Sequence, residues 1–504
     1  MTDDKNKNAG KVQYSAADKV VEDMDRSLRG RLRNVRTTRW IRFGVVSVIF
    51  FLWVIWMGNP WLLFLWILLA DIYLTCFIPW NWWKRSSNRF VRMIMNWVDA
   101  IVYALILVYF IFAFIGQNYT IPSSSLEKSL LVGDYLWVNK AIYGPRVPQT
   151  PVHFPLTQHT LPVVNTQSYL EKPQLSYHRL PGLRSVERGD IVVFNYPQGD
   201  TVLTAIDLAN GDYYDIIERL RAQGIADPRA YIADNPQRFG EVKWRPVDRR
   251  ENYVKRAIGL PGERLMIVDD AIYINGKPIA VPEQAQFKYI VAVKHPVSSD
   301  VWLDLGVRRE NQAPIPGFEV LPEYAGAYVY SVPLTEEKSA QVAQWPDLAQ
   351  PLVKENKLLP PQNFLGVFPL GNNYGWTRSN MGEIWIPKRG KTLHLTLNNL
   401  PLYRRVIETY EGNKVDVRNG QIYINGKATD RYTFRMDYYW MMGDNRDWSA
   451  DSRYWGFVPE DHIIGSPAFI LISFDEERSL GNDKIRWNRI FRSANPAKAQ
   501  FQQK

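Results

Sequence analysis

Three short segments of this 504-residue chain concentrate side chains that could do acyl-transfer chemistry. One is a serine-rich turn, IPSSSLEKSLLVGD at 121–134. Another is a basic stretch, YVKRAIGLPGE at 253–263, and the last is a dense polar run, MMGDNRDWSADSRYWGFVP at 441–459. A serine hydroxyl is a poor nucleophile until a neighbouring base takes its proton. These segments contain no histidine, so a lysine is the available base, and it must be neutral to serve. Its ordinary pKa of about 10.4 has to fall by several units, which requires burial in apolar surroundings and a neighbour that bonds the amine without negative charge.

Other chemistries are poorly supplied. The six histidines, His153, His159, His178, His295, His394 and His462, are scattered, with no His-Glu-x-x-His and no pair at metal-ligand spacing. There is no Gly-x-Ser-x-Gly elbow and no phosphate-binding loop. A single cysteine, Cys76, permits neither an intramolecular disulfide nor a cysteine-based metal site. Each candidate also has a plain structural reading. Ser124 with Glu127 reads as a capping box opening a short helix, Lys255 alone as a solvated strand lysine, and Ser449 alone as a turn residue.

The elements that must hold these segments begin with apolar runs. From Phe43 to Trp83 the only acid or base is Asp71, and the run breaks once, at Gly58-Asn59-Pro60, which predicts a helical hairpin over 43–80. A second run, 98–116, is long enough to cross a bilayer, and tryptophans crowd the ends of both runs, as in an interfacial belt. Asp71 reads either as a functional intramembrane charge or as a carboxyl near an interface. Basic residues flank the runs: Arg26, Arg29, Arg31, Arg33, Arg36, Arg39 and Arg42 in a tail over 1–42, then Lys84, Arg85, Arg89 and Arg92 in a loop over 81–97. Both clusters are expected to stay cytoplasmic, placing everything after Gly116 outside. This absorbs much of the net charge of +10 without invoking nucleic acid. A long polar segment precedes the first run, so it does not read as a cleaved signal peptide. A mean hydropathy of −0.27 excludes a chain that is mostly embedded in membrane.

From Gln117 onward the pattern changes to short alternating runs bounded by Gly-Asp, Asn-Gly and Pro, the signature of a β-rich domain with tight hairpins. DDAIYINGKPI (269–279) and RNGQIYINGKAT (418–428) are near repeats, either a duplicated hairpin or one turn solution used twice. The predicted parts are a catalytic domain over 117–283 with a proline-rich loop at 144–187, an inserted β-containing lobe over 284–410, a second catalytic part over 411–478 and a C-terminal tail over 479–504. The lobe is expected to contribute no catalytic group, so its removal is expected to spare hydrolysis of a short peptide.

Taken in order, the apolar run ending at Gly116 with its serine turn, the RGDIVVFNYP strand, the KRAIGLPG segment and the GDNRDWSADSRYWGFVP run resemble type I signal peptidases, membrane-bound serine proteases that remove signal peptides. The resemblance implies Ser125 as nucleophile and Lys255 as general base, with Ser449 orienting the lysine. It implies Ser123, together with the backbone N–H of Ser125, as oxyanion donors, and Arg256, Asp451 and Arg453 as structural support. Leu126 stands where the family often has Met, a tolerable swap of apolar volume, and Lys128 where many members have Pro, which should loosen the turn and bring a second cation near the site. A neutral lysine further requires Asp444, Asp447 and Asp451 to pair with Arg256, Arg446 or Arg453 and not with Lys255.

The fold expected is membrane helices plus a mainly-β soluble catalytic domain with the inserted lobe. The function implied is signal-peptide cleavage at the outer face of the cytoplasmic (inner) membrane by a multi-pass protein. No metal or organic cofactor is implied. Expected partners are preprotein signal peptides and membrane lipid, with the secretion machinery a further candidate and nucleic acid excluded. The rival readings are a non-catalytic membrane-tethered binding or assembly protein on the same fold, and a self-processing Ser/Lys peptidase.

Overall fold

Gly58-Asn59-Pro60 interrupts an apolar run, and in the computed structural model the chain reverses there. The structure describes residue 32 and residues 35–501, apart from 165, 200, 204–211, 319–320, 359–365, 370–373, 480, 482 and 497. Arg26, Arg29, Arg31 and Arg33, with nearly all of the basic tail, lie outside the described residues. The chain divides into two compact units, Met1–Leu107 and Val108–Lys504.

In the first unit the helix Thr37–Met57 ends on Gly58, whose φ of 63° turns its N–H onto Ile55 O at 3.1 Å. Asn59 Oδ1 accepts from Trp61 N, and Pro60 fills the first position of the next turn, where its missing N–H has no cost. The returning arm, Pro60–Thr75, packs on the first through Trp66, whose indole donates to Ser47 Oγ at 2.9 Å. The expected hairpin forms, but its first arm starts at Thr37 and not Phe43, and its second arm is short. Among the described residues two helices, Thr37–Met57 and Arg89–Ile115, are long and apolar enough to cross a membrane. The latter starts well before Val98 because Asn88 Oδ1 accepts from Phe90 N at 2.9 Å and caps a polar first turn that an apolar run cannot reveal. Asp71 closes the short arm: its carboxylate accepts from Phe77 N at 2.7 Å, Ile78 N at 3.1 Å and the Trp80 indole at 2.9 Å. These donors give it a structural task.

The second unit is mainly β. Seven strands form its principal sheet: β1 (Gly116–Thr120), β2 (Asp134–Asn139), β3 (Ile191–Asn195), β4 (Asn252–Gly259), β5 (Tyr438–Met442), β6 (Val458–Pro459) and β7 (Ile463–Ser473). Their spatial order is β1-β2-β7-β3-β4-β5-β6 with antiparallel neighbours throughout, so β4 is an inner strand. The two near-repeat sequences form the same three-stranded meander. In each, an Asn-Gly pair takes left-handed backbone (Asn275 φ 50°, Gly276 φ 77°; Asn425 φ 52°, Gly426 φ 80°), as a two-residue hairpin turn requires. The turn asparagine also accepts from a preceding backbone N–H, Arg264 N onto Asn275 and Lys414 N onto Asn425, both at 2.9 Å.

The segment 284–410 is not held as one body. Its first part builds a three-stranded sheet around Gln286–Val293 and Tyr328–Thr335, with a core of its own that includes Trp302, Tyr330 and Val342. Its last part belongs to the larger core: Met381–Trp385 pairs with Arg264–Val268, and Leu400, Tyr403 and Ile407 pack with Ile258, Trp440 and Phe457. Alternation along a strand tells which face is apolar but not which core receives it. The C-terminal segment likewise folds back: Ala494 is buried with Leu126 and Leu130, and Arg489 grips the buried Asp134 at 2.6 and 3.1 Å. Removing one partner of a buried ion pair leaves an uncompensated charge, at a cost of about 3 kcal/mol. Arg489→Ala should therefore lower the melting temperature by about 5 °C. An unchanged melting curve would show that Asp134 does not need it.

Candidate active site

Sheet alternation places Lys255. On β4, Lys255 lies opposite Val192 of β3, and Arg256 opposite Ile191 of β3 and Met442 of β5. Successive side chains leave a strand on opposite faces, so Lys255 and Arg256 are sent to different sides. Ser125 sits in a single 3₁₀ turn, Ser124–Leu126, which buried Leu126 and Leu130 pin into the core beneath β2. There the Lys255 amine donates to Ser125 Oγ at 2.7 Å and to Val254 O at 3.1 Å. The amine is buried, and that desolvation pushes its pKa down to about 8 against the opposing pull of Asp451 and Asp444.

Neither of those carboxylates touches it. Arg256 Nε and Nη2 hold Asp444 at 2.8 and 2.6 Å, and the Ser129 hydroxyl donates to the same carboxylate at 2.6 Å. Arg453 Nε and Nη2 hold Asp451 at 2.9 and 2.8 Å, with Gly443 N adding a bond at 3.1 Å. Burial works to raise both carboxyls, but these guanidinium and hydrogen-bond partners keep them below the ordinary carboxylate value. Both acids therefore stay charged and paired. Asp447 departs from expectation: it pairs with Arg378 at 3.1 Å and accepts from Lys288 N at 2.7 Å. The turn Arg446–Trp448 points it at the strand Gln286–Val293, while Arg446 lies over the Phe287 ring.

The remaining expected residues divide. Ser449 is buried near this pair, yet among the described residues its hydroxyl has no hydrogen-bond partner, so the expected bond to the Lys255 amine is not made. The amine is instead spent on Ser125 and Val254, and hydrogen bonds of this kind often tighten only when substrate is present. Ser123 is exposed in extended backbone (φ −132°, ψ 154°) at the entrance to the turn, and its hydroxyl caps nothing. The capping box does not form, because Glu127 stands at the end of the turn, where its N–H bonds Ser124 O at 2.9 Å. Lys128 does not loosen the site. Its φ is 72°, a conformation closed to proline, and its amine turns away to bond Gly306 O at 2.7 Å.

Four contributors were not anticipated from the sequence. Asn445 donates its N–H to Ser125 O and its side-chain amide to Ser124 O, both at 3.1 Å, and so fixes the serine turn. Asn495 accepts from Arg256 Nη1 at 2.8 Å. Ser129 supports Asp444, as noted. Gly443 matters for what it lacks: a Cβ there would lie 2.2 Å from Ser449 Oγ and 2.6 Å from Ser125 O. Asn445 and Gly443 fall inside the polar run, but only the folded register shows which carbonyl each meets.

A family model described as "Signal peptidase, peptidase S26" matches residues 94–298 and 428–472. Ser123, Ser125, Lys255 and Arg256 lie in the first stretch, and Ser449, Asp451 and Arg453 in the second. The chain is 24% identical over 388 residues to signal peptidase I of Haemophilus influenzae, covering 77% of this chain and 72% of that protein. It is 21% identical over 412 residues to signal peptidase I of Helicobacter pylori, covering 79% of this chain and 91% of that one. A short stretch of 34 residues is 62% identical to signal peptidase I of Aquifex aeolicus, 7% of this chain and 13% of that protein.

The buried amine carries a stability signature. Its pKa falls from 10.5 to about 8 on folding, so the unfolded chain holds the proton more tightly and the fold is penalised wherever the amine must be charged. At about 1.4 kcal/mol per pKa unit the penalty is about 3 kcal/mol below pH 8, and it disappears as pH rises from about 8 toward 10.5. Lys255→Met should thus melt higher than the parent at pH 6, with the gain shrinking by pH 10. A gain independent of pH would mean that the amine is not charged in the fold at pH 6. Gly443→Ala should reduce turnover at least about tenfold by forcing Ser449 and the Ser125 carbonyl apart. Unchanged kcat in that variant would show that the crowding relaxes without consequence.

Proposed function

We propose that this chain, which belongs to the signal peptidase family, peptidase S26, is a membrane-anchored serine endopeptidase that cleaves signal peptides from secreted preproteins with a Ser125/Lys255 dyad. The observation that supports the dyad most is the 2.7 Å contact between Ser125 Oγ and a buried amine that, among the described residues, no carboxylate bonds. In its neutral form the amine takes the Ser125 proton as Oγ attacks the carbonyl carbon at the end of the signal peptide. The tetrahedral oxyanion is received by the Ser125 N–H and the Ser123 hydroxyl, and one such donor contributes on the order of 3 kcal/mol. The Lys255 ammonium then protonates the leaving amine as the C–N bond breaks, releasing the mature protein. Water attacks the acyl ester with Lys255 taking its proton, and as the ester C–O bond breaks Lys255 passes that proton to Ser125 Oγ, which restores the neutral pair and frees the signal peptide.

In this reading Ser449, beside Gly443, holds the amine once Ser125 has given up its proton. A hydroxyl suits this task because it orients the amine without stabilising its charge. Arg256 keeps Asp444 occupied and Arg453 keeps Asp451 occupied. The helix Arg89–Ile115 leads directly into β1, which supports a catalytic unit anchored close to the membrane. The basic tail and the loop through Arg92 face the cytoplasm in this reading, and the unit after Gln117 faces outward from the cytoplasmic membrane.

Ser125→Ala and Lys255→Ala should each abolish preprotein cleavage while the protein stays folded, and the double variant should be no worse than either, because the two act as one proton-transfer unit. The free-enzyme kcat/KM should rise with pH along a limb centred near the Lys255 pKa of about 8, since the amine must lose its proton to act. A folded Ser125→Ala protein with near-parental turnover would overturn the assignment.

A further inference from the structure

Trp448 takes no part in the chemistry above, yet it stands next to the buried Ser449 and is 43% exposed. Its backbone N–H donates to Asn445 O at 3.2 Å, and Asn445 donates its own N–H to Ser125 O at 3.1 Å, so the ring hangs on the turn that fixes the serine. A single exposed tryptophan is ordinary and needs no partner where its ring is loose. This ring is held. Its indole N–H donates to the buried Asn311 Oδ1 at 2.6 Å, and the Lys288 ammonium lies over the ring, 4.4 Å from its centroid. Lys288 is fixed in turn, its backbone N–H on Asp447 at 2.7 Å and its ammonium 4.0 Å from Glu355. With the indole N–H and one face taken up by the lobe, what the ring leaves to solvent is apolar surface. An apolar group that covers a ring already held this way gains burial without first ordering it.

The surroundings say what covers it. Pro122 and Ser123 before the serine turn and Ala450 after Ser449 are exposed as well, but all three are small. The serine turn also has two ends. Strand β1 leads into it, whereas Lys128 leaves it bonded to Gly306 O at 2.7 Å, on the same stretch of the lobe as Asn311. Trp448 therefore stands with the lobe at the leaving end. In the function proposed above, the signal peptide reaches the turn from the side of β1, so the residues after the cut pass toward the lobe.

We propose that Trp448 is a specificity-determining residue, whose open surface packs against an apolar side chain at the first or second position after the cut. Preproteins with a leucine-like residue there are the favoured substrates. The proposal rests on the Ser125/Lys255 reading, because a position after the cut is defined only if Ser125 makes the cut. Asn311 and Lys288 are the positioning residues, and through them the lobe sets substrate preference without touching the reacting atoms.

The test gives the full chain, in detergent micelles, internally quenched peptides with an Ala-x-Ala sequence before the cut. Leucine or glycine is placed in turn at each of the first two positions after the cut and, for comparison, at x. At one of the two later positions kcat/KM for leucine should exceed that for glycine about fivefold, the size expected when part of a side chain leaves water. Trp448→Ala should bring that ratio to within about twofold of one, chiefly through KM, while the pH limb near about 8 stays in place. Trp448→Phe should keep most of the preference. Should Trp448→Ala not fold, Trp448→Gln also removes the apolar ring and is read in the same way. A parent without the preference, a ratio unchanged in the variant, or an effect confined to x would overturn the proposal. A displaced pH limb would do so too, since it would mean that Trp448 acts on Lys255. Ser125→Ala is assayed on the same peptides: its activity would overturn the dyad reading itself, whereas an inactive Ser125→Ala with an unchanged Trp448→Ala ratio would overturn this proposal alone.

Discussion

If Ser125 and Lys255 act as the proposed dyad, the buried amine must be able to lose its proton although two buried acids lie within electrostatic reach of it. That constraint governs the second unit. Burial alone lowers Lys255, but Asp444 and Asp451 both pull it back up, and either of them in direct contact would favour the ammonium form. The fold answers with two guanidinium groups, Arg256 and Arg453, each closing two bonds on its own carboxylate. Arg256 is the neighbour of Lys255 on β4, so one strand sends the amine to one face and the cation that occupies one of its two competitors, Asp444, to the other. Arginine suits this task better than lysine because its planar fork matches a carboxylate and stays charged at any working pH.

A second consequence concerns how the serine turn is held. Asn445 fixes the carbonyls of Ser124 and Ser125, so the turn is as well placed as the loop that contains Asn445. That loop is in turn braced by the lobe. Gln286 N donates to Asp444 O at 2.9 Å, Lys288 N to Asp447 at 2.7 Å, and the Trp448 indole to Asn311 at 2.6 Å. Lys128 adds a bond from the turn itself to Gly306, at a point where any Cβ would sit 2.0 Å from the amine. Residues of the lobe thus brace both the serine turn and the polar run, and the expectation that its removal would leave short-peptide hydrolysis intact does not follow from this packing.

The fold class was legible because its signals are local. Apolar length marks helices, and Asn-Gly pairs between alternating runs mark hairpins whose backbone must go left-handed. The serine turn, the lysine strand and the polar run were legible as segments for the same reason, since each carries its residues within a short span. What the sequence could not reveal is which distant atoms meet. Asp447 finds Arg378, far along the chain, in place of Arg446 next to it, and Asn495 reaches Arg256 from a segment that reads as a tail. The partition of 284–410 between two cores was illegible on similar grounds, because the apolar residues of Met381–Trp385 suit either core. Lys128 reads as a departure from a proline pattern, and only the backbone angle of 72° shows that this turn has no place for a proline.

These constraints also bear on where the serine turn can stand. The helix ending at Ile115 passes into β1 at Gly116, and β1 is paired along its full length with β2, so the link is a strand and not a tether. Five strand residues extend roughly 17 Å at about 3.3 Å each, and the serine turn follows at once. Lys140, in the residue after β2, bonds Gln117 at 2.9 Å and also the Phe112 carbonyl of the helix end, which ties the strand pair to the helix. If the helix spans the bilayer and Ser125 is the nucleophile as proposed, the serine turn cannot drift far from the lipid surface, where a membrane-inserted signal peptide would present its cleavage point. A flexible linker would lose that advantage, because effective concentration depends on how tightly the reacting groups are confined. Under the proposed function, the stiffness of the helix-to-strand junction would serve catalysis by position alone, with no catalytic group of its own.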